Sequence, residues 1–114
     1  MSTELSVREV NGVSIVDAPS RLTLGHGAGT LRHSLRDLLV AGHKKILLDL
    51  GGVTALDSTG IGDLVASFAT INNQGGQLKL LNLTKRVKDL LLLTKLYTVF
   101  EVYEDEAAAV ATYK

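Results

Sequence analysis

The chain has 114 residues, 46% of them hydrophobic and 21% charged, which is enough for one buried core and too few for two ordinary domains. Twelve basic and twelve acidic side chains cancel, so the broad positive field that a nucleic-acid partner would require is missing. Cysteine is absent, which excludes disulfides and thiolate metal sites and leaves the redox compartment open. Because neither a secretory signal nor an apolar run of about 18 residues occurs, we expect one cytoplasmic domain over residues 1–114 without membrane insertion.

The first predicted element is an antiparallel hairpin. Two runs with apolar residues on alternate positions flank the dipeptide Asn11-Gly12. This dipeptide favours positive φ at both turn positions, as a two-residue hairpin turn requires. Pro19 is expected to end the second strand, because it lacks the backbone N–H that a strand would use.

A helix and a buried strand are predicted next. Leucines in residues 31–40 fall on one helical face, and Gly42 is placed to end that helix. The run "KKILLDL" is continuously apolar after its lysines, which is typical of a strand buried on both faces. After Ser58 the apolar positions return to helical spacing, and "NNQGG" provides the exit from this second helix.

The last third of the chain repeats the alternation. "QLKLLNL" is predicted to be a strand, Thr84 to cap a third helix, "VFEVY" to be a last strand and "DEAAAVAT" a short helix with acids in its first turn. The predicted order is β-β-α-β-α-β-α-β-α. We therefore expect an α/β fold with a mixed, mostly parallel sheet that begins with the N-terminal hairpin, and with helices packed on the sheet.

Three consecutive polar residues, Asp57, Ser58 and Thr59, stand where the buried strand region gives way to the second helix. In open α/β sheets functional groups gather at such junctions, yet the same residues are also common helix caps. Gly60 and Gly62 follow, although glycine costs about 1 kcal/mol relative to alanine inside a helix. The glycines indicate either close packing on a neighbouring strand or a flat surface that lets a partner approach Ser58.

Catalytic and metal-binding interpretations fit poorly. A nucleophile elbow needs glycine two residues before the serine, where Leu56 stands, and an aspartyl-phosphate receiver built on Asp49 lacks the clustered acids that hold Mg²⁺. "GHGAG" resembles a phosphate-binding loop but lacks its lysine, so we interpret it as a flexible entry to the first helix. The histidines are not at ligand spacing, so no catalytic residue, metal or cofactor is expected.

Two stretches carry a family likeness. "ILLDLGGVTALDSTGIGDLV" and "GGQLKLLNLTKRVKDLLLLTKLYTVFEVYEDEAAAVA" resemble the STAS domain of bacterial anti-sigma factor antagonists, and D-S-T-G-I-G is the most specific part. The resemblance covers nearly the full chain. It implies a STAS-like single domain and a protein-binding function in sigma factor regulation, not an enzyme.

The resemblance also implies a phosphorylation switch. Unmodified members bind an anti-sigma factor, often itself a serine kinase, and so release the sigma factor. Phosphorylation of the serine after the motif aspartate ends that binding, and a PP2C-type phosphatase restores it. By position the phospho-acceptor is Ser58, and the implied partner-binding residues are Asp57, Ser58, Thr59, Gly60, Ile61 and Gly62.

One segment departs from the family pattern. Members commonly show Gly-x-apolar-Asp after the second strand, where this chain has Ser20-Arg21-Leu22-Thr23 and then "GHGAG", so partner choice stays open. The alternative function is a scaffold or subunit of a stress-signalling or lipid-transport complex without phospho-control. For the switch itself, we expect the exposed N–H groups and dipole at the start of the second helix to tolerate a phosphate on Ser58.

Overall fold

In a computed structural model the chain forms two sheets and four helices over residues 5–113, the residues that the structure describes. The strands are β1 (Val7–Val10), β2 (Val13–Asp17), β3 (Arg21–Leu22), β4 (Lys45–Asp49), β5 (Ala55–Leu56), β6 (Gln77–Leu81) and β7 (Val102–Tyr103). The helices are α1 (Ala28–Val40), α2 (Ser58–Asn73), α3 (Lys85–Leu93) and α4 (Glu106–Ala111).

The main sheet has five strands in the order β1-β2-β4-β6-β7. Only β1 and β2 pair antiparallel, and their turn places Asn11 at φ 51° and Gly12 at φ 82°, which confirms the predicted hairpin. The pairs β2 with β4, β4 with β6 and β6 with β7 are parallel. The expectation of a mixed, mostly parallel sheet behind an N-terminal hairpin is therefore confirmed.

The helices cover both faces of this sheet. Leu48 and its neighbours on one face pack against the apolar sides of α1, α2 and α3. Leu47 points to the other face, where the residues Ala109 and Val110 of α4 meet it. Both leucines are fully buried, so β4 is buried on both faces as predicted. None of the helices in the described part of the chain is long and apolar enough to cross a membrane.

A second, two-stranded sheet was missing from the prediction. Strands β3 and β5 pair in parallel, with Leu22 opposite Leu56, and both side chains are buried. Each strand has only two residues, which is too short to show an alternating pattern, and the partners lie far apart in the sequence. This small sheet holds the segment after β2 against the start of α2.

The last strand is shorter than predicted. Of "VFEVY" only Val102 and Tyr103 pair with β6, while Phe100 is buried ahead of the strand. The ring of Phe100 meets Phe68 of α2 edge to face, with ring centroids 5.0 Å apart. The sequence pattern predicted Phe100 to be a strand residue. In the structure it precedes the strand and packs against α2, where Phe68 provides a second aromatic ring.

A buried lysine connects α4 to the sheet. Lys79 in the middle of β6 is only 5% exposed, and its ammonium group donates to Thr112 Oγ1 at 2.8 Å. The same nitrogen lies 4.6 Å from the ring centroid of Tyr113 and 3.7 Å from a carboxylate oxygen of Glu101. Because a buried ammonium group needs such partners, these contacts fix the position of the chain just after α4.

We expect Lys79→Ala to lower the free energy of unfolding by about 1–3 kcal/mol, because the hydroxyl of Thr112 loses its buried donor. Amides of α4 should also exchange hydrogen faster. The matched control is Lys85→Ala, whose side chain is 91% exposed and should change stability by less than about 0.5 kcal/mol. Equal urea midpoints for the two variants would contradict this role of Lys79.

Candidate functional site

The carboxylate of Asp57 caps helix α2. Its Oδ1 atom accepts hydrogen bonds from the backbone N–H groups of Thr59 and Gly60, both at 3.0 Å. The backbone of Asp57 is extended, with φ −127° and ψ −174°, as an N-cap residue requires. The cap that the sequence left open between aspartate and serine is therefore Asp57, and Ser58 is the first residue of the helix.

The second carboxylate oxygen reaches a different part of the chain. Asp57 Oδ2 accepts a hydrogen bond from the backbone N–H of Leu24 at 3.0 Å. Leu24 lies in residues 23–27, here called the Leu24 loop, which Thr23 and His26 close by exchanging two backbone hydrogen bonds of 2.9 Å. One carboxylate therefore joins the start of α2 to a loop more than thirty residues earlier.

These hydrogen bonds change the acidity of Asp57. The N–H groups of Leu24, Gly60 and Thr59 stabilise the charged form and hold the pKa of the carboxyl below its ordinary value. Partial burial acts in the opposite direction but is the smaller effect. The carboxylate is consequently negative at neutral pH, directly beside Ser58.

The hydroxyl of Ser58 takes no part in this network. Ser58 is exposed, and its side chain forms no hydrogen bond with any residue that the structure describes. Thr59 beside it is half-buried. The hydroxyl of Ser58 is therefore exposed to solvent and unbonded, while the neighbouring Asp57 caps the helix and binds the Leu24 loop.

The two glycines of the motif, Gly60 and Gly62, have different surroundings. A Cβ atom on Gly60 would lie 2.0 Å from the carbonyl oxygen of Leu22, so this glycine allows α2 to pack on the small sheet. A Cβ atom on Gly62 would meet nothing within 4 Å, and Gly62 is exposed. Close packing explains Gly60 but not Gly62. For Gly62 the other hypothesis from the sequence, a flat surface that a partner can approach, stays a prediction.

Not all of segment 57–62 faces solvent. Ser58 and Gly62 are exposed, Asp57 and Thr59 are half-buried, and Gly60 and Ile61 are buried. Ile61 belongs to the core under the helices, with 8% of its surface exposed. The six residues that the sequence grouped together are adjacent, but Ser58 and Gly62 offer the most surface to another molecule.

The Leu24 loop supplies surface that the sequence analysis did not assign. Leu24 is 74% exposed although it is apolar, and its own N–H is bound to Asp57. Beside the loop a cavity of about 420 Å³ is lined by Leu24, Gly25, His26, Gly27, Gly29, Thr30, Arg32, Thr59 and Asp63. The only local sequence signal was "GHGAG", which is a defined turn here, with Gly25 and Gly27 at positive φ.

Three backbone N–H groups in the first turn of α2 already have acceptors. The N–H groups of Thr59 and Gly60 bind Asp57 Oδ1, and that of Ile61 binds the backbone oxygen of Asp57. Asp57 therefore binds two of the N–H groups at the start of α2, and the expectation that this helix end tolerates a phosphate on Ser58 stays a prediction. A phosphate at this position would face solvent and a negative neighbour.

Comparisons with known proteins agree on one family. The sequence profile of the STAS domain matches residues 4–109 of this chain. The anti-sigma-B factor antagonist of Bacillus subtilis is 35% identical over 77 residues, which cover 68% of this chain and 70% of that protein.

Solved structures show the same fold. A protein from Thermotoga maritima described as a candidate anti-sigma factor antagonist superimposes with a TM-score of 0.84 at 27% identity, over 94% of this chain and 92% of that one. The phosphorylated form of the Bacillus cell-fate determinant SpoIIAA gives a TM-score of 0.72 at 15% identity, covering 94% and 96% of the two chains. The latter likeness concerns the fold alone.

The two glycines should respond in opposite ways to alanine. Gly60→Ala should lower the free energy of unfolding by about 2–3 kcal/mol, since the new methyl group collides with the backbone of Leu22. Gly62→Ala should raise it by about 0.5–1 kcal/mol, because the position is open and alanine favours a helix. Urea unfolding of both variants measures the difference, and similar losses in both would contradict these assignments.

The lowered pKa of Asp57 predicts a dependence of stability on pH. Its contribution is complete above the ordinary pKa of about 4 and is lost as the pH falls through the lowered, folded-state value. Asp57→Asn, which cannot ionise, should therefore be less stable than the parent chain at about pH 6.5, and the gap should shrink at about pH 2.5. Urea unfolding at both pH values tests this, and a constant gap would refute it.

Proposed function

The chain belongs to the STAS domain family, and from this premise we propose that it is an anti-sigma factor antagonist controlled by phosphorylation. In its unmodified form it binds an anti-sigma factor that is also a serine kinase, and so frees a sigma factor for transcription. Phosphorylation of Ser58 ends the binding, and a PP2C-type phosphatase restores it. The proposed role is that of a cytoplasmic partner-switching module and not of an enzyme.

The observation that carries this proposal is the free hydroxyl of Ser58. The residue is exposed at the first turn of a helix, and its neighbour Asp57 provides the cap. A kinase could therefore modify Ser58 without breaking a contact on which the fold depends. The relative from Bacillus subtilis is named an anti-sigma-B factor antagonist, which supports the same biological setting.

The switch would act through charge at the surface. A phosphate adds about −1.5 to −2 charges beside the ionised Asp57, whose Oδ1 atom already binds the N–H groups of Thr59 and Gly60. A partner that contacts the neutral hydroxyl would then have to desolvate this charge and lose its own contact. The combined penalty can reach about 3 kcal/mol, which is roughly a hundredfold in affinity.

The partner surface in this proposal has two parts. One is segment 57–62, of which Ser58 and Gly62 are exposed. The other is the Leu24 loop, which hydrogen-bonds to Asp57 and carries an exposed apolar side chain. This loop begins at Thr23, the last residue of the stretch 20–23 that departs from the family pattern, so the loop would contribute to the choice of anti-sigma factor.

Phosphorylation of Ser58 is tested by incubation with the cognate kinase and ATP. Intact-mass and fragment analysis should place a single phosphate on Ser58, and Ser58→Ala should stay unmodified. The control is Ser6→Ala, since Ser6 is also exposed but lies elsewhere on the fold. If Ser58→Ala gains phosphate as fast as Ser6→Ala does, the assignment of the acceptor is wrong.

Binding to the anti-sigma factor tests the electrostatic mechanism. Ser58→Ala should bind like the unmodified chain, whereas Ser58→Asp should bind at least tenfold more weakly, because it places a second charge beside Asp57. Isothermal titration calorimetry gives both affinities. Equal affinities for the two variants would contradict the phosphorylation switch. They would favour the alternative function, a scaffold that uses the same surface without modification.

A further inference from the structure

A second cavity lies between helices α1 and α2, outside the surface assigned above. It has a volume of about 420 Å³, in the size range of small-molecule sites. Residues one helical turn apart on each helix form its walls. They are Arg32, Leu35, Arg36 and Leu39 from α1, and Ala66, Ser67, Thr70 and Ile71 from α2.

An unpaired hydroxyl marks this cavity. Ser67 is 4% exposed, and its Oγ atom has no hydrogen-bond partner among the described residues. A buried polar atom without a partner is destabilising by about 1–3 kcal/mol, so such atoms are rare in stable folds. The oxygen has almost no accessible surface in this conformation, so a ligand would bond to it after the side chain turns toward the cavity.

The charge at the rim indicates the sign of that ligand. Arg32 and Arg36 are four residues apart on α1, so both lie on the side of the helix that borders the cavity. Arg32 is 3.9 Å from a carboxylate oxygen of Asp63, whereas Arg36 forms no ion pair within the described part of the chain. Guanidinium groups bind phosphate and carboxylate through paired N–H donors.

The base of the cavity indicates the rest of the ligand. Leu35, Leu39 and Ile71 are almost fully buried, and together they give the cavity an aliphatic base. We propose that this cavity binds a small organic anion, a phosphate or carboxylate group attached to a short aliphatic body.

The site would also communicate with the proposed switch region. Arg32 borders this cavity and the separate cavity beside the Leu24 loop and Thr59. An anion that draws Arg32 away from Asp63 would leave an additional unpaired negative charge close to segment 57–62. Occupation of the cavity would therefore weaken the binding of a partner that is repelled by negative charge at segment 57–62.

Octyl phosphate, used below its micelle concentration, is the probe for this site. Titration followed by ¹H–¹⁵N spectra should give saturable shifts at the amides of Arg36, Ser67 and Thr70. Inorganic phosphate has only the anionic group and octanol only the aliphatic body, so each should bind at least tenfold more weakly than octyl phosphate. Shifts that do not saturate, or octanol binding as well as octyl phosphate, would overturn the proposal of an anion site.

Two variants locate the binding in this cavity. Arg36→Glu should weaken octyl phosphate at least tenfold, whereas the control Arg86→Glu, an equally exposed charge reversal on α3, should leave its affinity unchanged. Ser67→Ala should weaken it about threefold without lowering stability, because it removes the unpaired oxygen. Equal losses for Arg36→Glu and Arg86→Glu would show non-specific attraction and overturn the site.

Discussion

The carboxylate of Asp57 is the interaction on which the site depends. One oxygen caps helix α2 through Thr59 and Gly60, and the other holds the backbone of Leu24. Both sets of bonds favour the charged form, which keeps the group ionised at neutral pH. The same carboxylate therefore caps the helix, holds the Leu24 loop and carries a negative charge.

The contacts that hold the start of α2 do not involve the side chain of Ser58. Gly60 lets α2 approach the backbone of Leu22, so the helix, the small sheet and the Leu24 loop are joined in one continuous contact. Ser58 stands beside this contact and takes no part in it. In our proposal a phosphate changes what a partner meets at the surface, while the fold beneath keeps its hydrogen bonds.

Regular elements and family membership were predictable from the sequence, because they rest on local patterns. The apolar run of β4, the Asn11-Gly12 turn and the Thr84 cap of α3 all appear as expected. The short strands β3 and β5 and the bond from Leu24 to Asp57 were not predictable, since they join residues about thirty positions apart without a periodic signal. The different roles of Gly60 and Gly62 likewise follow only from what surrounds each one.

The sequence predicted exposed N–H groups at the start of α2 beside Ser58, and the structure shows that Asp57 binds two of them. Free N–H groups at a helix start are a sound general expectation for an anion site. Here Asp57 binds those of Thr59 and Gly60, so in our proposal a phosphate on Ser58 would act mainly by repulsion. In our proposal, an acidic helix cap next to an exposed hydroxyl therefore acts as a surface switch and not as a stable anion pocket.

The most direct test of this account compares ¹H–¹⁵N spectra of the chain with and without phosphate on Ser58. We expect shift changes confined to segment 57–62 and the Leu24 loop, with the amides of Leu24 and Gly60 still protected from hydrogen exchange by Asp57. Shift changes spread through β4, β6 and α3, or loss of protection at Leu24 and Gly60, would show that phosphorylation rearranges the fold and would contradict the central claim.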